Sequence, residues 1–185
     1  MLETNRLLLR DYIESDLAEM HRLWSDKETM YYLDDILTNT IDESAKYLKT
    51  GMDNADGHYF CICEKDVGQF IGSIGYTITD TTPLGKIVHM GYMIIVHMGY
   101  MMLPEYHGRG YMTEAAKAAI EFAFTQDNCI RITTGCIKAH EASRKVMEKA
   151  GFRKEGERLK AQYHDGEMKD RLEYAINKDE FFKGR

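Results

Sequence analysis

A histidine, two glycines one residue apart and an arginine stand together just before a helix-forming run: His107-Gly108-Arg109-Gly110-Tyr111-Met112-Thr113, then EAAKAAIEFAF over residues 114–124. Glycines at that spacing permit a tight turn, and a helix opening directly behind them aims unpaired N–H groups and its positive end into it. The combination makes a candidate phosphate cradle. The alternative is a plain turn with Arg109 in solvent. A dinucleotide fingerprint needs a third glycine where Thr113 stands, and a nucleoside-triphosphate loop needs Gly-Lys-Ser/Thr, which this chain does not have.

The elements that must position this turn are legible around it. Met98, Tyr100 and Met102 alternate along a short strand ending at Pro104, and Ala116, Ala119, Ile120, Ala123 and Phe124 recur at helical spacing after the turn. The segment HMGYMIIV at 89–96 is nearly repeated by HMGYMMLP at 97–104. No turn dipeptide separates the copies, so one bulged strand over 87–102 is expected, its second half being the functional fourth strand.

The turn resembles the phosphate-binding turn of the GNAT superfamily of acyl-CoA N-acyltransferases, with His107 and Met112 departing from the usual residues. PEYHGRGYMTEA is similar to the form in the branch that includes the ribosomal-protein N-terminal acetyltransferases. Two other stretches carry the same resemblance: the opening TNRLLLR, and His140-x-x-Ser143 followed by VMEKAGF at 146–152, with His140 in place of an asparagine.

The resemblance implies acetyl-CoA as cosubstrate, lying in a splay between the fourth and fifth strands. Met101, Met102 and Leu103 would supply the strand contact, and His107, Gly108, Arg109, Gly110, Tyr111, Met112 and Thr113 the pyrophosphate turn. His140 would position the pantetheine or the helix entrance, or else be an exposed helix-start residue. Many relatives carry a tyrosine four residues before the Gly-Phe glycine, where this chain has Met147, which cannot donate a proton. Ser143, one turn earlier, becomes the candidate acid or thiol-positioning group, with a structural helix residue as the alternative.

His97, near the cleft end of the fourth strand, is the candidate general base, since an imidazole titrating near pH 6.5 accepts a proton where an alkyl ammonium must lose one. The alternative is a polar strand residue. His89 is its counterpart in the repeat, and Glu105 and Glu114 are weaker candidates.

Further along the chain, a strand is expected over Arg6–Tyr12, then a helix capped by Ser15 or Asp16 and reaching Trp24, with Leu17, Met20, Leu23 and Trp24 on its apolar side. Met30-Tyr31-Tyr32-Leu33 either packs beside that helix or lines an acceptor cleft. Thr40-Ile-Asp-Glu43 is a capping box for a second helix ending at Gly51. Strands follow over Tyr59–Glu64 and Val67–Ile78, with Phe70, Gly72, Ile74 and Tyr76 on one face and Ile71 and Ser73 on the other. A polar loop is expected over Thr79–Gly85.

Next come a strand at Cys129–Cys136 and a helix from His140 to Ala150 that buries Ala142, Val146 and Ala150. Beyond Gly151 a strand begins at Phe152, and the last pair, Gly156–Gln162 and Lys169–Ile176, turns around Asp165-Gly166. That order matches an α/β GNAT-like fold, a central mixed, mainly antiparallel sheet flanked by helices.

With 185 residues the chain suits one domain spanning 1–185. Its net charge of −6 disfavours a nucleic-acid partner held through phosphates and fits a cationic acceptor. Cys61, Cys63, Cys129 and Cys136 show no zinc-site spacing and suggest a reduced, cytoplasmic setting, with no metal and no membrane segment expected.

The function expected is transfer of an acetyl group to a primary amine, first a protein N-terminal amine, alternatively a polyamine, aminoglycoside or amino-acid amine. A non-catalytic CoA-binding regulatory module is the competing class. A monomer or a homodimer would serve either.

Overall fold

The computed structural model describes residues 1–89 and 99–183, with backbone alone for 34–36 and 89. Its strands are β1 (Leu2–Glu3), β2 (Leu7–Asp11), β3 (Gly57–Glu64), β4 (Phe70–Thr82), β5 (Gly85–His89), β6 (Tyr100–Met102), β7 (Cys129–Ile137), β8 (Arg153–His164) and β9 (Glu167–Asn177). Its helices are α1 (Leu17–Trp24), α2 (Ile41–Met52), α3 (Tyr111–Thr125), α4 (Glu141–Ala150) and α5 (Lys178–Lys183). Hydrogen bonding orders the sheet β1-β2-β3-β4-β5-β7-β9-β8, with β6 attached to β4. Among the described residues every pairing is antiparallel except β5 with β7.

The sheet divides two apolar layers. On one side Ile71, Ile74, Tyr76, Val88 and Ile132 pack with Ala115, Ala119, Ile120 and Phe124 of α3 and Met147 of α4. On the other, Cys61, Cys63, Phe70, Met101 and Leu103 pack with Met20, Leu23 and Trp24 of α1, Leu48 of α2, and Met30. Cys61 and Cys63 thus share a face, and all four cysteines are buried and free.

Local signals placed the helices well. Thr40 Oγ1 accepts the Glu43 N–H at 3.3 Å while Glu43 accepts the Thr40 N–H at 3.3 Å, the expected capping box, although α2 continues one residue past Gly51. Gly151 closes α4 at φ 103°, and the Phe152 N–H reaches back to the Met147 carbonyl at 3.0 Å. Asp165 and Gly166, at φ 49° and 81°, make the tight β8–β9 turn. Neither Ser15 nor Asp16 caps α1 with its side chain. The Asp16 carboxylate instead accepts the Ile13 N–H at 2.9 Å and pairs with Arg10 at 2.6 Å. Burial works against that charge, but the guanidinium and the Ile13 N–H hold the carboxyl below its ordinary pKa.

The bulged strand expected over 87–102 runs through residues outside the described ones; on either side of them β5 pairs with the second half of β4, from Thr77↔His89 to Thr82↔Gly85, and β6 with its first half, from Gly72↔Met102 to Ile74↔Tyr100. Three other expectations are corrected. The expected polar loop at 79–85 is mostly strand, because the threonine-rich end of β4 extends to Thr82 and turns through Pro83 and Leu84. Phe70 lies in the opposite layer from Ile74 and Tyr76, and Ile71 joins the latter two. A register shift against β3, where Ile62 faces Gly72 but Cys63 faces Phe70, breaks the alternation there.

Finally, α4 buries Ser143, Met147 and Ala150 rather than Ala142 and Val146. That rotation turns Ser143 inward. Helix α5 had no sequence forecast; its Phe181 is buried and tilted against Phe124 at a ring separation of 5.6 Å.

Candidate functional site

The site begins where the sheet separates. Strand β7 pairs with β5 in parallel, from Lys86↔Cys129 to His89↔Thr133, and with β9 on its other side. Strand β6 pairs with β4, and among the described residues no pairing joins it to β7. That divergence of β6 from β7 is where the splay is expected.

Backbone direction follows from the register. The Leu103 N–H donates to the Ile71 carbonyl at 3.0 Å and the Gly75 N–H to the Gly99 carbonyl at 3.0 Å, so the odd-numbered residues face β4 and the peptide groups of Tyr100 and Met102 turn the other way. Of Met101, Met102 and Leu103, Met102 therefore presents its backbone to the splay. Its carbonyl lies 2.8 Å from His107 Nε2, so the His107 ring folds back onto the strand edge.

A single 3-10 turn, Pro104–Tyr106, carries the chain from β6 to the glycines. Gly108 and Gly110 take φ 75° and 78°, a region that costs other residues roughly 1–2 kcal/mol. Gly110 is the N-cap of α3, has no side chain to bond the first turn, and accepts the Glu114 N–H at 3.1 Å. The amides of Tyr111, Met112 and Thr113 precede that bond and are the helix's unpaired N-terminal donors.

Two arginines stand beside them, one of them, Arg6, paired with Glu114 at 2.6 Å. The Arg6 guanidinium lies 4.5 Å from the Tyr111 ring centroid and donates to the Arg109 carbonyl at 3.0 Å, and Arg109 lies over the Tyr106 ring at 5.5 Å. Tyr111 Oη donates to Glu64 at 2.6 Å. Met112 is buried in the core, so its side chain anchors the turn.

At the other end of the splay, three elements converge on Ser143 in the first turn of α4. Tyr100 Oη, from β6, lies 2.7 Å from Ser143 Oγ and 3.2 Å from the Ser143 carbonyl, so its one proton has two acceptors in reach. The Cys136 thiol, from β7, also bonds Ser143; burial pushes its pKa up, with Ser143 opposing. Burial pushes the Tyr100 phenol up as well. Met147, at the position where many relatives have tyrosine, is buried.

His140 precedes α4 as its N-cap without a side-chain cap bond. Its imidazole is stacked on Tyr32 with ring centroids 4.1 Å apart and planes 18° apart. Burial first, then His107 and His164, lower its pKa to about 4. Tyr32 also stacks on His164 at 5.3 Å, while Tyr31 meets both Tyr32 and His164 edge-on at 4.9 Å. Tyr31 Oη donates to Asp165 at 3.2 Å. The segment after α1 is thereby tied to the start of α4 and to the β8–β9 turn.

Sequence reasoning missed two of these features. Tyr100 was read as one of several alternating strand residues, and its contact with Ser143 spans 43 positions. The joining of Tyr31 and Tyr32 to His140, His164 and Asp165 was also unseen, since it depends on where two distant turns meet. Met30 packs in the core as expected, while its two neighbours reach outward.

The weaker base candidates are engaged elsewhere: Glu105 pairs with Arg22, and Glu114 accepts from Thr4 Oγ1 at 2.6 Å, Arg6 N at 3.0 Å and Arg6 Nε at 2.8 Å. His97 lies outside the described residues, as does the His89 side chain.

A split sheet edge leading through two left-handed glycines to an uncapped helix N-terminus is the geometry of a CoA-dependent acyltransferase. Residues 6–153 match the acetyltransferase (GNAT) domain family, and the chain belongs to that family. It is 29% identical over 183 residues to YnaD, an uncharacterised N-acetyltransferase of Bacillus subtilis, covering 97% of this chain and 98% of that one. It is 24% identical over 178 residues to the spermidine N(1)-acetyltransferase of Escherichia coli K12, covering 95% and 88%.

Among solved structures, the fold matches the Vibrio cholerae spermidine N-acetyltransferase in complex with CoA and spermine at a TM-score of 0.81, with 17% identity and coverage of 97% and 99%. It also matches the Vibrio fischeri ribosomal-protein-S5-alanine acetyltransferase at 0.75, with 23% identity and coverage of 97% and 97%. The relatives thus span polyamine and ribosomal branches, and the resemblance to the ribosomal branch in particular gives way to the wider family. The protein is an acetyl-CoA-dependent N-acetyltransferase acting on an amine.

Proposed function

We propose that this protein acetylates a primary amine of a small polycation of the polyamine type. The observation that carries the reading is the wall formed by Tyr31, Tyr32, His164 and Asp165 beside the start of α4. Tyr31 is 48% exposed, so its ring and the neighbouring carboxylate offer an ammonium both an aromatic surface and a negative charge. His140, with its pKa near 4, stays neutral at physiological pH and does not repel a cation there. The sequence relation to a spermidine acetyltransferase and the net charge of −6 support the same class.

Acetyl-CoA supplies a thioester that already reacts with neutral amines, and the residues present fit it. The amides of residues 111–113, with Arg109 and Arg6 nearby, suit the pyrophosphate, and the splay edge at Met102 suits an amide-bearing pantetheine arm. His107 would release the Met102 carbonyl to that arm. His140 would shape the helix entrance through Tyr32. Ser143 would hydrogen-bond the departing sulfur, lowering the cost of its developing charge.

His97 is the proposed base. A His97→Gln variant that loses the neutral-side inflection of kcat/KM, while His89→Gln keeps it, supports this role; an unchanged inflection in His97→Gln removes it.

A protein α-amine is the second reading, favoured by the ribosomal-protein acetyltransferase that shares the fold. The two part at Asp165. Asp165→Asn should raise KM for spermidine roughly tenfold, the scale of one lost charge contact, while leaving KM for a monoamine nearly unchanged. Equal effects on both amines would contradict the polycation reading.

A further inference from the structure

The proton inventory around Ser143 does not end at its own hydroxyl. Tyr100 Oη carries one proton and has two acceptors within reach, Ser143 Oγ at 2.7 Å and the Ser143 carbonyl at 3.2 Å. When that proton goes to Oγ, the serine's own proton is free to turn away from the phenol. When it goes to the carbonyl, the serine proton is spent on the phenol oxygen. The shorter distance is to Oγ.

Position makes the choice consequential. Tyr100 stands on β6, Cys136 on β7 and Ser143 on α4, so the three meet where the splayed strands are bridged by a helix start. Met147, one turn beyond Ser143 on the buried face, has no proton to give. Of the two side chains bonded to Ser143, the phenol is the strong donor and the Cys136 thiol only a weak one.

We infer that Tyr100 is a positioning residue for acetyl transfer: by donating to Ser143 Oγ it aims the serine hydroxyl into the splay and replenishes its proton. This rests on the reading of the splay as the transfer site and of Ser143 as the group facing the departing sulfur.

The step balances as follows. The amine nitrogen forms its bond to the acetyl carbon and loses a proton to the base or to water, and the carbon–sulfur bond breaks with its electron pair going to sulfur. The thiolate takes the Ser143 proton, Ser143 Oγ takes the Tyr100 proton, and water returns a proton to the phenol oxygen. Burial raises the phenol's pKa, so the two transfers run together rather than through a lasting phenolate.

A double-mutant cycle tests the inference. Tyr100→Phe removes one hydroxyl and keeps the ring. It should lower kcat roughly tenfold to hundredfold, on the lower side of a positioned proton donor, with KM for acetyl-CoA within about twofold of wild type. In the Ser143→Ala background the same change should cost less than about twofold, because the residue it acts through is gone.

Tyr100→His, which restores an N–H donor on a ring, should recover part of the loss, and all variants are compared at equal folded fraction by circular dichroism. Wild-type kcat in Tyr100→Phe, or losses that multiply in the double variant, would overturn the inference. Full turnover in Ser143→Ala would instead overturn the underlying assignment of Ser143, a separate outcome of the same cycle.

Discussion

The imidazole of His140 lies flat against the ring of Tyr32, centroids 4.1 Å apart, and this contact joins the segment after α1 to the entrance of α4. Protonating the histidine would place a charge in a buried aromatic stack. Its pKa is about 4 in the fold against an ordinary 6.5, so between those values the unfolded chain binds more protons. Stability contributed by neutral His140 is therefore complete above about pH 6.5 and lost as the pH falls toward 4, with an upper scale on the order of 3 kcal/mol. Urea denaturation from pH 7 to 4.5 should show a steeper decline for wild type than for His140→Gln. Parallel declines would remove His140 from this role.

The glycine turn is tested by backbone rather than side-chain chemistry. Gly110 sits at φ 78°, and an added Cβ would have Arg6 Nη2 at 3.7 Å as its near contact, so the cost of valine there begins with backbone strain. Gly110→Val should weaken CoA binding roughly tenfold, as expected for about 1–2 kcal/mol of strain in the bound turn, with the sheet still folded. Isothermal titration with CoA reads the effect. Unchanged affinity in the folded variant would move the anion site elsewhere.

How much was legible in the sequence follows from these two residues. Gly110 was readable because its demand is local: a left-handed residue before a helix needs glycine, whatever the remainder of the chain does. The capping box of α2 and the Asp165-Gly166 turn were readable for the same reason.

The Tyr32–His140 stack joins positions 108 apart, and nothing in either neighbourhood announces the other. The division of β4 between β5 and β6 was hidden too, since that pairing is set by register against β4. The inward turn of Ser143 escaped because Ala142 and Val146 offered an apolar stripe one residue off the true one, and a buried serine becomes favourable only once Tyr100 and Cys136 are there to bond it.

Glu114 is a structural carboxylate. Burial works against its charge, but Thr4 and Arg6 hold its pKa below the ordinary value and tie α3 to the chain preceding β2. Glu114→Gln should lose roughly 1–2 kcal/mol in urea unfolding, the scale of partly exposed charge-assisted bonds. The wild-type contribution fades as the pH falls through the depressed pKa, so the gap to the variant should narrow in acid. The pH inflections of kcat/KM should stay in place, and a lost inflection would return Glu114 to the list of candidate bases.

The central claim is acetyl transfer to an amine of a small polycation, and product analysis addresses it most directly. The protein is incubated with acetyl-CoA and, separately, spermidine, a monoamine, an aminoglycoside and peptides with free N-termini. Thiol release is followed, and each acceptor is weighed by mass spectrometry. The reading requires thiol release matched by one added acetyl group, with the highest kcat/KM on spermidine or a similar polyamine. Higher kcat/KM on the peptides would contradict the acceptor class, and CoA binding without transfer to any amine would contradict the account as a whole.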